Sequence, residues 1–348
     1  MANGIRTHLL VLVVALAVIF AAAMLAPPPQ AQGQGQAPAA VHPVPWAYAV
    51  ADAPPPAPPA PPAIADDAVE HVPDSTQSVT GKQLRDSANV FDWFPNDHPA
   101  MPQIVAHRRS PGANPWIGSC GWCHLPNGKG RPENAALAGL PAGYILEQLD
   151  DFKNGARKTG DPGKRNTATM AGNAAGLTPE EAVAAANYFA SIKMTPWIKV
   201  VEGDTVPKYR NVGGFFYSKV EGDETVPLGN KIVEMPVDLE LAETMRDPHT
   251  SWIAYVPAGS IKKGEDLVLR GGNGKTVACA ACHGEGLKGN GNFPPLAGRS
   301  PSYLARQLYE IKAFTRNGPG TQLMRPVVEK LTEDDIMNIT AYLASLQP

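Results

Sequence analysis

The chain has very little cysteine, with four residues among 348. They stand as two pairs, Cys120 with Cys123 and Cys279 with Cys282, and a histidine follows each pair directly. If both pairs are used in the same way, no cysteine is left for a structural disulfide or for a thiol nucleophile.

The chain also lacks a large excess of positive or negative charge, since its formal net charge is only −3. Residues 84–199 and 258–348 are slightly basic, and the segment 200–257 between them is acidic. A nucleic-acid-binding protein carries a strong basic patch or stripe, which this sequence lacks. We therefore predict no nucleic acid among its partners.

Long hydrophobic runs are absent except for one at the N-terminus, residues 9–26, which follows Arg6 and His8. A charged start followed by an apolar run predicts export to the periplasm. The run is at the lower limit for crossing a bilayer and proline follows it directly. Both features favour a retained inner-membrane anchor over a cleaved signal peptide, although Ala31 and Gly33 leave a later cleavage site open.

Residues 27–63 are dominated by proline, alanine and glutamine. Such a segment favours polyproline II and behaves as a semi-rigid spacer. It predicts either a linker that holds a soluble domain away from a membrane or a disordered N-terminus of a secreted protein. We divide the chain into a signal or anchor (1–26), this linker (27–63), a first domain with an extension (64–199), a connector (200–257) and a second domain (258–348).

The two cysteine pairs head two copies of an internal repeat. Tyr144 and Gln148 follow the first pair at the spacing with which Tyr303 and Gln307 follow the second. Further on, each copy has a Leu-Thr step with an acidic residue three positions after the threonine, which predicts a capping box at the start of a terminal helix. The capping threonines are Thr178 and Thr332.

The spacing of apolar residues predicts helices elsewhere, over 143–154, 260–269 and 302–314, with a shorter one around 101–109. The connector has alternating valine and aromatic residues and a short duplication, which predict hairpin-like short strands. The duplicated segments are 201–207 and 220–227. The predicted fold class is therefore mainly α: two tandem domains joined by an irregular connector with short β-hairpins.

The Cys-x-x-Cys-His sequence is a haem attachment motif with a chemical rationale. Its thiols form thioethers with the two vinyl groups of one haem, and the next imidazole is forced beneath the ring, where it ligates iron. We predict two covalently bound haem c groups, with His124 and His283 as iron ligands. A zinc site would need the four cysteines to converge, and a thioredoxin-like pair would need a βαβ context.

A methionine occupies the same place in each copy, seven residues before the leucine of the terminal helix. We predict that Met170 and Met324 lie in loops and supply the second axial ligands. Thioether sulfur is a soft ligand that favours Fe(II) and raises the reduction potential. Core packing is the usual role of a methionine, but it does not explain the shared position.

On these residues each copy resembles a class I cytochrome c domain, and the tandem resembles two-haem cytochromes of the cytochrome c4 type. The resemblance covers about 115–195 and 258–348 and includes the segment Pro295-Leu-Ala-Gly298. It implies a small all-α haem pocket in each half and outer-sphere electron transfer between them. The long connector and an extension, residues 64–110, depart from the pattern.

These features predict an electron carrier rather than an enzyme, because electron transfer needs no acid, base or nucleophile. Its partners would be redox proteins, with membrane association through the N-terminal segment. One alternative is a two-haem peroxidase, but that needs an open iron, and a methionine in both copies argues against it. Another is the cytochrome subunit of a periplasmic dehydrogenase that feeds the respiratory chain. Lys288, Lys312 and Arg316 would either rim the second haem for docking or solvate it.

Overall fold

The computed structural model describes residues 46–49, 64–107, 118–161 and 164–348. The predicted signal or anchor, residues 9–26, lies outside these residues, as does most of the predicted linker. Within the described ranges, no helix is both long and apolar enough to cross a bilayer.

The N-terminal extension has little regular structure. It contains one antiparallel ribbon and two single-turn helices: β1 (Val69–Glu70), β2 (Val79–Thr80), α1 (Gly81–Leu84) and α2 (Gln103–Ala106). Its apolar side chains form a small core that includes Trp93 and Met245. The Trp93 indole donates a hydrogen bond of 2.7 Å to the Met245 carbonyl, which ties the extension to the connector.

Both sequence copies fold mainly as helices, as predicted, and each Cys-x-x-Cys-His motif itself forms or ends a short helix. The first half contains α3 (Cys120–His124), α4 (Ala142–Lys153), α5 (Arg165–Gly176) and α6 (Pro179–Ser191). The second half contains α7 (Ser260–Arg270), α8 (Ala280–His283), α9 (Pro301–Lys312), α10 (Arg325–Val328) and α11 (Glu333–Ser345), with 3-10 turns at Glu285–Leu287 and Pro319–Met324.

The predicted capping boxes are confirmed at both terminal helices. The Thr178 hydroxyl accepts from the backbone N–H of Glu181, whose carboxylate accepts from the Thr178 N–H in return. Thr332 and Asp335 do the same at α11. Each box satisfies two backbone donors that a helix start leaves unpaired, so both copies begin this helix at the same repeat position.

The connector is built from short strands, as predicted: β3 (Ile198–Glu202), β4 (Thr205–Pro207), β5 (Tyr209–Val212), β6 (Phe216–Lys219), β7 (Thr225–Pro227), β8 (Val233–Pro236) and β9 (Trp252–Val256). A π-helical turn, Glu240–Thr244, lies between β8 and β9. Within the connector, β5 and β6 form a simple hairpin, and the duplicated Thr-Val-Pro segments, β4 and β7, pair with each other.

The two ends of the connector lie side by side. Strand β3 follows the first half, β9 leads into the second half, and the two pair in parallel from Ile198 opposite Trp252 to Glu202 opposite Val256. Strand β8 completes this three-stranded sheet on the other edge of β9. The long connector therefore leaves and returns at one place, and its length does not force the two halves apart.

A short piece of the predicted linker is packed against the second half. Trp46, Ala47 and Tyr48 are all buried and belong to its apolar core. The Tyr48 hydroxyl donates to Glu310 at 2.8 Å, and the rings of both aromatics meet Tyr309 edge-on. At residues 46–48 the chain is therefore not a solvated spacer.

A buried carboxyl joins the connector to the second half. Glu234 on β8 is 3% exposed and accepts hydrogen bonds from the hydroxyls of Ser300 and Ser302 at the start of α9. Burial is the main cause that raises the pKa of Glu234 from 4.5 to about 7, against the opposing effect of these hydroxyls. The neutral form is therefore the one that the fold prefers.

We predict that Glu234→Gln removes a pH dependence of stability. The folded pKa lies above the unfolded one, so stabilisation by the protonated form is complete below about pH 4.5 and is lost as pH rises to about 7. At pH 8 the variant should exceed the parent by up to about 3 kcal/mol in unfolding free energy, and at pH 4.5 the two should agree.

The measurement is denaturant unfolding of both proteins at these two pH values. Glu240→Gln, at an exposed position, is the control and should shift stability equally at both. A Glu234→Gln variant with the pH profile of the parent would contradict the prediction.

Candidate haem sites

The two motif histidines are oriented in the same way. His124 donates from Nδ1 to the carbonyl oxygen of Ala135 at 2.9 Å, and His283 donates from Nδ1 to that of Pro294 at 2.7 Å. In both cases the acceptor lies eleven residues later in the chain. This bond keeps the proton on Nδ1 and leaves Nε2 unprotonated and able to bind a metal, which is the usual outer-shell arrangement of a ligating histidine.

Burial favours the ligand form of both rings. It is the leading cause that lowers the pKa of His124 and of His283 below the usual value. The imidazoles are therefore neutral at physiological pH, as iron ligation requires.

The four cysteines are free of disulfides. Burial raises the pKa of Cys120 to about 12 and that of Cys279 to about 11, so neither thiol is a ready thiolate. Across the described residues, no three His, Cys, Asp or Glu side chains converge on a possible metal position. The zinc alternative therefore finds no support, and each cysteine pair stands alone beside its histidine.

The methionines do not lie in loops, so that part of the prediction is wrong. Met170 is inside α5, and Met324 is the last residue of the 3-10 turn Pro319–Met324. Both side chains are half-buried, and Met324 packs against the apolar core of the second half. The two copies reach the same repeat position with different local structure, because the stretch before Met170 is five residues longer than its counterpart.

Two buried arginines join the halves at equivalent repeat positions. Arg157 donates to Gln148 of its own half at 2.9 Å, and across the joint to Gln307 at 2.9 Å and Tyr303 at 3.1 Å. Arg316 donates to Gln307 of its own half at 3.2 Å. Across the joint it donates to Gln148 and to the Tyr144 hydroxyl, both at 2.8 Å. The backbones of the two arginines also form an antiparallel bridge.

This joint fits the anionic propionate groups of haem. The Nε atom of Arg316 is buried and has no hydrogen-bond partner among the described residues, so a donor is left for an acidic acceptor. Burial raises the pKa of the Tyr144 phenol, but the charges of Arg316 and Arg157 outweigh that effect and lower it. The surroundings therefore favour negative charge at this place.

A third arginine crosses between the halves. Arg299 follows the repeat glycine of the second half and donates to the carbonyl oxygens of Ala136 at 2.6 Å and Ala138 at 2.9 Å in the first. Its Nε donates to the Pro295 carbonyl at 2.8 Å. The residues just before these acceptors, Ala135 and Pro294, accept the hydrogen bonds of His124 and His283. Arg299 therefore connects the two backbone segments that orient the motif histidines.

The extension and the connector both cover the first motif. A Cβ on Gly121 would lie 2.9 Å from the Val105 carbonyl oxygen, so the extension packs directly on this residue. On the other side, the Arg246 guanidinium of the connector lies 3.8 Å from the centroid of the Trp122 ring and donates to the Trp122 carbonyl. No local sequence pattern predicts these contacts over the first motif.

Histidines outside the motifs have structural partners in the extension. The Tyr188 hydroxyl donates to the Pro126 carbonyl at 2.6 Å and lies 2.9 Å from Nδ1 of His98, whose Nε2 lies 3.3 Å from Asp92. His249 stacks on the Phe94 ring, with centroids 3.6 Å apart. The contact of His98 with Tyr188 holds the extension onto the first half, and the contact of His249 with Phe94 holds it onto the connector.

The repeated fold and its paired sites define a two-haem c-type cytochrome. The cytochrome c family profile matches twice, over residues 111–193 and 263–347. With these two matches and the relatives described next, the chain belongs to the cytochrome c family. Its two covalently bound haem c groups and its role in electron transfer follow from this membership.

Similar proteins match about two thirds of this chain. The thiosulfate dehydrogenase electron acceptor of Thiomonas intermedia is 30% identical over 237 residues, which are 67% of this chain and 81% of that protein. Cytochrome c4 of Azotobacter vinelandii is 26% identical over 233 residues, 65% of this chain and 84% of that protein. A crystal structure of reduced recombinant cytochrome c4 from Pseudomonas stutzeri aligns with a TM-score of 0.43 and 25% identity, covering 65% of this chain and 93% of that one.

We predict that Gly121→Ala destabilises the protein by about 1–3 kcal/mol, because the new methyl group overpacks the contact with Val105. The equivalent residue of the second copy, Ala280, is exposed. Ala280→Ser should therefore change stability by less than about 0.5 kcal/mol. Denaturant unfolding of the haem-loaded chain measures both. Equal effects at the two positions would show that the first motif is not covered.

Proposed function

We propose that each cysteine pair attaches one haem and that a histidine and a methionine close its iron. His124 and Met170 would serve the first haem, and His283 and Met324 the second. The observation that carries this assignment is the paired geometry of the histidines, each held through Nδ1 by a carbonyl oxygen eleven residues later. The shared repeat position of the methionines supports the second ligand.

The bound haems supply the one-electron chemistry, and the protein residues set its conditions. Two neutral imidazoles and two thioether sulfurs present soft or neutral ligands that favour Fe(II). Arg157 and Arg316 would offer hydrogen bonds to the propionates and keep the two pockets at a fixed separation. Fixed ligands and a rigid joint keep the rearrangement between oxidation states small, which suits a carrier.

The partner is proposed to be a dehydrogenase, for which this chain accepts electrons. Support comes from two relatives named as thiosulfate dehydrogenase electron acceptors, from Thiomonas intermedia and Stutzerimonas stutzeri. Residues 9–26 would direct export to the periplasm and hold the protein at the inner membrane. The comparisons lend no support to the peroxidase alternative.

We predict that carbon monoxide does not alter the visible spectrum of the fully reduced, haem-loaded chain, because both irons are closed by a sixth ligand. Met324→Ala should open the second haem, and Met170→Ala the first, so each variant should bind carbon monoxide at half of its haem. Absorbance difference spectra against a haem standard measure the bound fraction.

Met337→Leu is the matched control, because Met337 is a buried core methionine whose repeat position in the first copy holds Val183. It should leave the chain unreactive to carbon monoxide. Binding of carbon monoxide by the unaltered chain would exclude a closed iron in that half and would revive the peroxidase alternative.

A further inference from the structure

The two haem-binding motifs differ in what covers them. Gly121, Trp122 and Cys123 in the first copy correspond to Ala280, Ala281 and Cys282 in the second. The first three are buried or half-buried, whereas the last three are all exposed. The difference arises at identical repeat positions, so it comes from added structure and not from the cytochrome fold itself.

The cover over the first motif comes from two separate parts of the chain. The extension contributes Val90 and Val105, which approach Gly121 from one side. The connector contributes Arg246, which stacks on Trp122, and its neighbourhood is fixed by the Arg131 ion pairs with Glu133 and Glu243. Arg246 adopts a positive φ of 54°, a conformation that a non-glycine residue holds only where contacts favour it.

We propose that the second motif is the site at which the protein exchanges electrons with its partners, and that the first haem exchanges electrons only through the second. This inference rests on the proposed haem assignment and goes beyond it by naming the haem that exchanges electrons with the partner. Electron transfer weakens steeply as the two centres move apart. A layer of the extension and the connector over Cys123 therefore disfavours docking there, and the uncovered edge at Cys282 permits it.

The chemistry of this surface indicates the kind of partner. The centre is small and uncharged, with Val277 at 53% exposure beside the exposed alanines. The charge of Lys275 is matched by Asp335, with which it pairs at 2.7 Å. Lys288 ends the 3-10 turn that begins at Glu285, so this turn carries one charge of each sign. The surface suits a one-electron redox protein with a nearly neutral contact face, and association should depend little on salt.

The cover itself can be tested without electron transfer. In the haem-loaded full chain, hydrogen–deuterium exchange at amides 121–124 should be at least tenfold slower than at amides 280–283. Gly121→Ala should accelerate exchange in the first motif and leave the second unchanged. Equal exchange in the two motifs of the unaltered chain would overturn the proposal, while intact haem bands in the same sample would leave the haem assignment standing.

Electron exchange at the second motif is tested by Ala281→Glu, which adds bulk and charge at an exposed position. With a monohaem cytochrome c as oxidant, stopped-flow oxidation of both haems should slow at least tenfold, which is more than any shift in the two reduction potentials, measured on the same variant, accounts for. Oxidation of the unaltered protein should change less than twofold between 10 and 200 mM salt. The control is Val183→Glu on α6 of the first half, where the side chain is 44% exposed, and it should have no effect.

If Ala281→Glu slows the oxidation of only one haem, the first haem exchanges electrons directly with the partner, and the proposal is overturned. Unchanged rates for both haems would overturn it as well. A strong salt dependence would exclude the neutral contact face.

Discussion

The arrangement of the two halves depends on two buried positive charges. A guanidinium group that leaves water must find acceptors for its donors, or the cost of burial exceeds the gain from packing. Arg157 and Arg316 each donate to one acceptor in their own half and to two acceptors in the other half. Separation of the halves would leave both charges short of partners, so the tandem repeat behaves as one structural unit.

The same joint lies close to the parts that hold the haems. Tyr144, Gln148 and their counterparts belong to α4 and α9, the helices that follow the two motifs. Arg299 reaches from the segment that supports His283 to the segment that supports His124. A substitution in the joint would therefore affect both haem sites. The equivalent positions of Arg157 and Arg316 in the two copies thus matter for function as well as for folding.

Much of this fold could be predicted from the sequence, because it is determined by interactions between residues that are close together in the chain. The motif histidines, the capping threonines and the helices after each motif follow from spacing and cap chemistry, which act within a few residues. The sequence also carries a signal for the joint, because Arg157 and Arg316 follow Tyr144 and Tyr303 at the same spacing. The expectation that Arg316 solvates or rims the second haem is wrong, because its side chain is buried in the joint, although an arginine is usually solvated.

Other features depend on contacts between distant segments and have no local signature. The parallel pairing of β3 with β9 joins residues more than fifty positions apart, and the stacking of Arg246 on Trp122 spans more than a hundred. The neighbourhood of Met170, Thr-Ala-Thr-Met-Ala-Gly, has little apolar periodicity and carries no strong local signal for a helix. Its helix α5 packs against α4, and such packing overrides weak local preference.

The central claim is that one rigid joint makes the two haems a single conducting unit. The direct measurement is to reduce a small fraction of the haem-loaded chain with a light pulse and to follow how the absorbance redistributes between the haems. We predict a first-order rate that stays constant over a tenfold range of protein concentration. A rate proportional to protein concentration would mean that electrons move between molecules, and it would contradict the account.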